Sequence, residues 1–228
     1  MRIAENTEML EISEGQGTVY PVLIWDDKNV VLFDTAFPGQ LEIIREAVSK
    51  AGFKLEDITK LIITHQDMDH IGCAKQLAGL GAEVIAYEEE APYIQGDKNP
   101  VKLSDMEKRM DSLSKEEREF YDRVMENAPR FYTNVGTTVK DGEILDICGG
   151  IEVIHTPGHV PGHASYRLIN IGIIITGDAA NIKDGKLTGA NPRHTMDMET
   201  AGKSFEKLEK MNPNAFICFH GGLYENNK

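Results

Sequence analysis

The segment that decides the fold of this chain is Leu61-Ile62-Ile63-Thr64-His65-Gln66-Asp67-Met68-Asp69-His70. Its short apolar run predicts a buried strand that delivers the following residues at its end. Two imidazoles and two carboxylates then lie within six residues, from His65 to His70. Carboxylates this close together repel one another unless a positive charge gathers them. The cluster therefore favours a divalent-metal site over a set of unrelated structural side chains.

Three later segments supply further candidate ligands, each after a predicted strand. His159 lies in the turn Thr156-Pro157-Gly158-His159-Val160-Pro161-Gly162-His163, Asp178 follows the apolar run 171–176, and His220 follows the run 215–219. Strand ends that cluster on one edge of a sheet are a natural place to assemble a site. We therefore expect these side chains to converge on the cluster at 65–70.

Length and charge limit the class of protein. The chain has 228 residues, which suits a single domain over 1–228. Its 24 basic and 37 acidic residues give a net charge of −13. An acidic surface repels phosphate backbones, so we expect no nucleic-acid partner.

No apolar run approaches the ~18 residues that a membrane span needs, so we expect no membrane partner. The first 18 residues contain several glutamates and no apolar stretch, so no secretory leader is predicted. The three cysteines are scattered without metal-type spacing. Together these features predict a cytoplasmic protein.

Strand and helix signals alternate on both sides of a segment at about 88–133, where the β signal disappears. This pattern predicts an α/β fold with a helical insert. Ser104 with Glu107 and Ser114 with Glu117 both match the capping box, so two helices are predicted to start there. The methionines and aromatic residues of the insert have two interpretations: they dock its helices, or they form a lid over a substrate pocket.

The ligand pattern resembles the signature of the metallo-β-lactamase superfamily, H-x-H-x-D-H followed by a histidine, a bridging aspartate and a final histidine. The resemblance extends from the predicted hairpin at 19–33 and the turn Phe33-Asp34-Thr35 to His220. It implies an αβ/βα four-layer sandwich with the site along one edge of two packed sheets.

The resemblance also implies a role for each candidate ligand. One metal ion would be held by His65, Asp67 and His159, a second by Asp69, His70 and His220, and Asp178 would bridge both. Asp34 would accept a hydrogen bond from a ligand histidine, with a simple turn residue as the alternative. His163 would support a ligand or the turn, with direct ligation less favoured.

The chain departs from the signature at Asp67, where the family usually has histidine. A carboxylate at this position adds negative charge and makes the site harder. Zinc is the expected metal for the two positions, with iron or manganese as alternatives because of Asp67.

The resulting hypothesis is a metal-dependent hydrolase of a small ester, lactone or thioester, similar to the lactonases of this superfamily. A hydroxide held between the two ions would attack the carbonyl carbon. Asp69 is the candidate to move the proton to the leaving group, with a ligand-only role as its alternative. The sequence identifies no substrate-binding residues.

Two other functions stay open. The carboxylate at Asp67 is compatible with an iron-dependent oxidoreductase of the di-iron oxygen reductase or persulfide dioxygenase type. The same replacement is compatible with a protein that binds metal without turnover. In each enzymatic case the expected partner is a small molecule, and a homodimer is left open.

Overall fold

The computed structural model describes residues 1–13, 15 and 17–226 of the chain. Within these residues the strands are β1 (Arg2–Ala4), β2 (Thr7–Met9), β3 (Ile12–Ser13), β4 (Thr18–Val19), β5 (Val22–Trp25), β6 (Val30–Phe33), β7 (Lys60–Ile63), β8 (Glu83–Tyr87), β9 (Thr137–Val139), β10 (Ile144–Leu145), β11 (Ile151–His155), β12 (Ala164–Leu168), β13 (Ile173–Gly177), β14 (Ala180–Lys183), β15 (Lys186–Gly189), β16 (Ala215–Cys218) and β17 (Gly222–Glu225). The helices are α1 (Leu41–Lys50), α2 (Met68–Ile71), α3 (Ala74–Gly79), α4 (Ala91–Gln95), α5 (Ser104–Lys108), α6 (Lys115–Asn127) and α7 (Met198–Lys210).

Two large sheets form the framework. One has the strand order β1-β2-β5-β6-β7-β8-β9, and the other has the order β10-β11-β12-β13-β16-β17. Strands β6, β7, β8 and β9 run parallel to one another, as do β13 and β16, and the remaining pairs within the two sheets are antiparallel.

Alternating side chains on each strand divide the core into layers, because successive residues point to opposite faces of a sheet. On β6, Val31 and Phe33 pack into a cluster between the two sheets, whereas Leu32 packs with residues of α1 and α3 on the outer side. On the other sheet, Ile174 and Phe216 pack with Leu208 of α7. The result is the four-layer αβ/βα sandwich predicted from the sequence.

The sheets bring the predicted ligands to one edge. The loop 64–70 follows β7, which lies between β6 and β8 and is parallel to both. In the second sheet the parallel pair β13 and β16 aligns Gly177 with Cys218, so Asp178 and His220 emerge side by side.

The insert at 88–133 is helical in the structure, and its two predicted capping boxes differ. Ser114 caps α6 as predicted, because its hydroxyl accepts from the Glu117 N–H while the Glu117 carboxylate accepts from the Ser114 N–H. The prediction for Ser104 is wrong. A 3-10 turn at Val101–Leu103 runs directly into α5, so Ser104 already lies inside the helix and Leu103 occupies the capping position.

None of the helices in residues 1–13, 15 and 17–226 is both long enough and apolar enough to cross a membrane.

Candidate metal centre

The predicted ligands come together in two adjacent groups. In the first group, ligand atoms of His65, Asp67, His159 and Asp178 all lie within 4.8 Å of one another. The Asp67 Oδ2 atom is 3.2 Å from His65 Nε2 and 3.0 Å from His159 Nε2. The other carboxylate of this group belongs to Asp178, whose Oδ2 atom is 3.3 Å from His159 Nε2.

The second group consists of Asp69, His70 and His220, whose ligand atoms also lie within 4.8 Å of one another. His220 Nε2 is 3.1 Å from Asp69 Oδ2. Asp178 contributes its other oxygen here, because Oδ1 is 3.4 Å from His70 Nε2 and 3.3 Å from His220 Nε2. The two oxygens of Asp178 therefore face different groups.

The residues present fit divalent cations. His65 Nε2, His70 Nε2 and Asp178 Oδ1 are buried and have no hydrogen-bond partner. Buried polar atoms are ordinarily paired, so unpaired atoms that converge from several segments call for an ion. All seven side chains offer nitrogen or oxygen and none offers a thiolate, a donor set that suits zinc, iron or manganese.

Hydrogen bonds orient the ring nitrogens of three histidines in the same way. His70 Nδ1–H donates to Asp34 Oδ2 at 2.9 Å. The Thr64 hydroxyl donates to Asp34 at 2.8 Å, so it accepts from His65 Nδ1–H at 3.1 Å. Likewise the Thr195 hydroxyl donates to the Asn191 carbonyl and accepts from His159 Nδ1–H at 3.4 Å. In the neutral form of each ring, Nε2 therefore carries no proton and is directed at the two groups, as a metal-binding imidazole requires.

Asp34 combines both roles considered from the sequence. Its backbone is in the left-handed region, with φ of 55°, at the turn after β6. Its Oδ1 also accepts from the Thr64 N–H at 2.8 Å. The turn thus points the carboxylate at His70 and at the start of the ligand loop.

His163 is close to the groups, but both of its nitrogens bind the protein. Nε2 accepts from the Asp178 N–H at 3.0 Å, so the proton is on Nδ1, which donates to Thr156 Oγ1 at 2.8 Å. The Thr156 hydroxyl then donates to Ser165, whose hydroxyl donates to the Thr176 carbonyl. This buried chain fixes the backbone that carries Asp178.

The pKa values of the clustered side chains are shifted in different directions. Burial and the neighbouring His70 lower the pKa of His65 to about 4. Burial also lowers the pKa of His220, but the nearby carboxylates of Asp178 and Asp69 outweigh burial and raise it to about 9. Burial raises the pKa of Asp178, yet the charge of His70 and the neighbouring His220 hold that pKa well below its usual value. The carboxylates therefore stay ionised and available to a cation.

Sequence reasoning missed Lys102, which extends from the insert into the first group. Its Nζ contacts Asp67 Oδ2 and lies 3.1 Å from His159 Nε2. The adjacent Val101 N–H donates to Gln66 Oε1 at 2.9 Å, which holds this part of the insert against the ligand loop. A single lysine outside any motif carries no sequence signal for such a contact.

Glu90 was also missed, because it ends a run of three glutamates that is typical of a solvated surface. It is buried, and its Oε2 accepts from Gln66 N at 2.9 Å and from Gln66 Nε2 at 3.2 Å. Burial raises the pKa of Glu90 to about 7. Glu90 and Gln66 thus connect the ligand loop to the base of the insert.

Two cavities adjoin the ligand groups. One, of about 420 Å³, exposes Asp67, Asp69 and Asp178 beside Asn181, His194 and His220. The other, of about 280 Å³, lies under the insert and also reaches Asp67 and Asp69. A small molecule can therefore approach the site from two sides.

Comparisons with known proteins agree with this architecture. The chain is similar to the probable metallo-hydrolase YflN of Bacillus subtilis, with 28% identity over 206 residues, 84% of this chain and 75% of that protein. It is 28% identical over 166 residues to the hydroxyacylglutathione hydrolase GloC of Haemophilus influenzae, covering 68% of this chain and 64% of that protein.

Among solved structures, the metallo-β-lactamase family protein TTHA1429 of Thermus thermophilus superposes with a TM-score of 0.78 at 21% identity, over 98% of this chain and 76% of that one. The fold is therefore shared well beyond the level of sequence similarity. The family model of the metallo-β-lactamase superfamily matches residues 15–220, which span every candidate ligand described above, and the chain belongs to that superfamily.

Proposed function

We propose that this protein is a metal-dependent hydrolase that cleaves a small ester, lactone or thioester at a site for two divalent cations. The observation that carries the proposal is the position of Asp178, whose two oxygens face two separate groups of ligand atoms. A carboxylate in this position is suited to bridge two ions.

The proposed ligands are those of the two groups. His65, Asp67 and His159 would hold one ion, Asp69, His70 and His220 the other, and Asp178 both. Bound divalent ions of this kind polarise a carbonyl oxygen and lower the pKa of a bound water molecule to a value near neutrality. Asp34 and His163 would act indirectly, because they fix the orientation of His70 and the backbone of Asp178.

Asp69 is the proposed proton carrier. Its carboxylate is 17% exposed and borders both cavities, so it reaches the space where a leaving group would depart. A carboxylate that contacts solvent on one side can accept a proton from water and return it to the leaving alcohol or thiol. The similarity to a hydroxyacylglutathione hydrolase supports a thioester among the substrates to test.

Zinc is the proposed metal, and iron and manganese are tested beside it because Asp67 offers a carboxylate. Metal content of the purified protein, followed by reconstitution with each of the three ions, identifies the ion that supports hydrolysis. An iron protein that consumes oxygen and hydrolyses nothing would favour the oxidoreductase alternative instead.

The experiment is a panel of esters, lactones and thioesters assayed with the metal-loaded protein. Asp178→Asn removes one charge at the centre, and Asp184→Asn makes the same change at an exposed turn. We expect Asp178→Asn to lower bound metal and to reduce hydrolysis more than about 100-fold, with Asp184→Asn unaffected. A fully loaded protein that cleaves no member of the panel would contradict the proposal.

A further inference from the structure

The cavity under the insert has an apolar wall and a polar end. Its volume is about 280 Å³, and the rings of Tyr93, Phe120, Phe131 and Tyr132 line it. Asp67, Asp69 and Lys102 border it where it meets the ligand groups. The volume is close to the lower end of the range of about 300–1,000 Å³ that is usual for small-molecule sites.

The helices that cover this cavity are incompletely packed. Helix α6 has thirteen residues and none of them is buried. Phe120 is 44% exposed although it lines the cavity, and Met68, which also lines it, is 42% exposed. Large apolar side chains that face a common space and stay in contact with water form a surface suited to an apolar ligand.

The position of the cavity restricts what that ligand is. Asp67 and Asp69 belong to the ligand groups and also border the cavity. A molecule bound in the cavity can therefore extend to the ligand groups, where the proposed reaction takes place. The bound molecule therefore needs an apolar tail joined to a polar, reactive end.

We propose that this cavity binds the apolar acyl part of the substrate, with the scissile carbonyl at the metal centre. The inference rests on the proposed function and specifies its substrate class. In the reaction, the oxygen of water bonds to the acyl carbon, and the bond from that carbon to oxygen or sulfur breaks. The leaving alcohol or thiol takes a proton, and the products are that compound and a free carboxylic acid.

The test measures kcat/KM for thioesters that share one leaving group and carry linear acyl chains of two, four, six and eight carbons. Burial of each added methylene is expected to raise kcat/KM about fourfold until the cavity is full. Calorimetry with acetate, butanoate, hexanoate and octanoate tests the same cavity without any hydrolysis.

Two variants of α6 provide a matched comparison. Val124→Phe adds a ring inside the cavity, whereas Arg123→Phe adds the same ring at the neighbouring exposed position. We expect Val124→Phe to flatten the dependence on chain length in both measurements and Arg123→Phe to retain it. Circular dichroism checks that both variants are folded.

The outcomes separate this inference from the proposed function. Hydrolysis that does not depend on chain length, with Val124→Phe equal to Arg123→Phe, would overturn the acyl site and leave the hydrolase intact. Absence of hydrolysis, with octanoate bound and weakened only in Val124→Phe, would support the acyl site and contradict the hydrolase. Absence of both hydrolysis and binding would overturn both.

Discussion

At the scale of single residues, the candidate centre depends on side chains that do not themselves belong to the two ligand groups. Asp34 accepts hydrogen bonds from Thr64 and from His70, and so orients one ligand and the loop that carries four of them. Partners of metal-binding histidines of this kind commonly affect metal affinity by about 10–100-fold.

Asp34→Asn tests this role, since asparagine tolerates the left-handed backbone at this turn. The amide loses the charge that faces His70 Nδ1 and replaces one acceptor with a donor. We expect metal affinity to fall about 10–100-fold in a chelator competition assay. Unchanged affinity would show that Asp34 is only a turn residue.

Lys102 places a positive charge on the first ligand group, where a cation has to compete with it. Lys102→Met should therefore strengthen divalent-cation binding roughly tenfold, since it removes a repulsion between the ammonium group and the cation that solvent only partly screens. Lys115→Met removes the same charge from an exposed position of the insert and serves as the control. Equal affinities for the two variants in calorimetric titrations would refute the competition.

Asp26 gives the fold a distinct dependence on pH. Burial raises its pKa, but backbone hydrogen bonds from Lys28 and Cys148 outweigh burial and hold the pKa well below its usual value of 3.8. A carboxyl with a lowered folded-state pKa stabilises the protein above the unfolded value, and this contribution disappears as the pH falls through the folded value.

Asp26→Asn should cost about 1–3 kcal/mol of unfolding free energy at pH 7, because the amide nitrogen cannot accept from the Cys148 N–H. The difference from wild type should stay constant down to about pH 5 and shrink below pH 3.8. Urea unfolding at several pH values measures it. A difference that is the same at pH 7 and pH 3 would contradict the assignment.

At the scale of elements, sequence signals predicted the strands that carry ligands because those strands are apolar and continuous. The run 61–63 became β7 and the run 215–219 became β16, each within one residue of the predicted bounds. The edge strand β1 and its neighbour β2 escaped prediction, since Arg2, Glu8 and their neighbours show no apolar run.

The hairpin of β14 and β15 was missed although its signal is present. Asp184 and Gly185 both have positive φ, of 51° and 72°, between two strands that pair in register. An Asp-Gly pair is a strong indicator of a two-residue hairpin turn. The path of the insert, in contrast, has no signal in the sequence. Contacts such as that of Lys102 with Asp67 depend on three-dimensional packing and leave no periodic pattern.

The space around Gly177, at the end of β13, shows how closely the elements pack beside the candidate centre. A methyl group on Gly177 would lie 2.6 Å from His163 Nε2 and 2.9 Å from Thr64 Cβ, at a φ of 52°. Gly177→Ala should therefore reduce the unfolding free energy by about 2–4 kcal/mol, from overpacking and backbone strain together.

Gly185→Ala is the matched control, because φ is 72° and nothing lies within 4 Å of the added methyl group. Backbone strain alone should cost this variant about 1 kcal/mol. Urea unfolding of both variants isolates the contact with His163 and Thr64. Equal losses for the two variants would show that the space around Gly177 is not restricted.

At the scale of the whole molecule, the candidate metal centre draws its residues from both sheets. The loop 64–70 comes from the first sheet, whereas His159, Asp178 and His220 come from the second. The sequence predicted this convergence because each ligand follows a strand that ends at the same edge. It left open whether the insert docks its own helices or covers a pocket, because the walls of the cavity join residues far apart in the chain.

Anomalous X-ray diffraction from crystals of the metal-loaded protein tests the central claim most directly. The account predicts two peaks about 3.5–4 Å apart on either side of the Asp178 carboxylate. One peak should contact His65, Asp67 and His159, and the other Asp69, His70 and His220. A map of the loaded protein without a peak beside Asp178 would contradict the account.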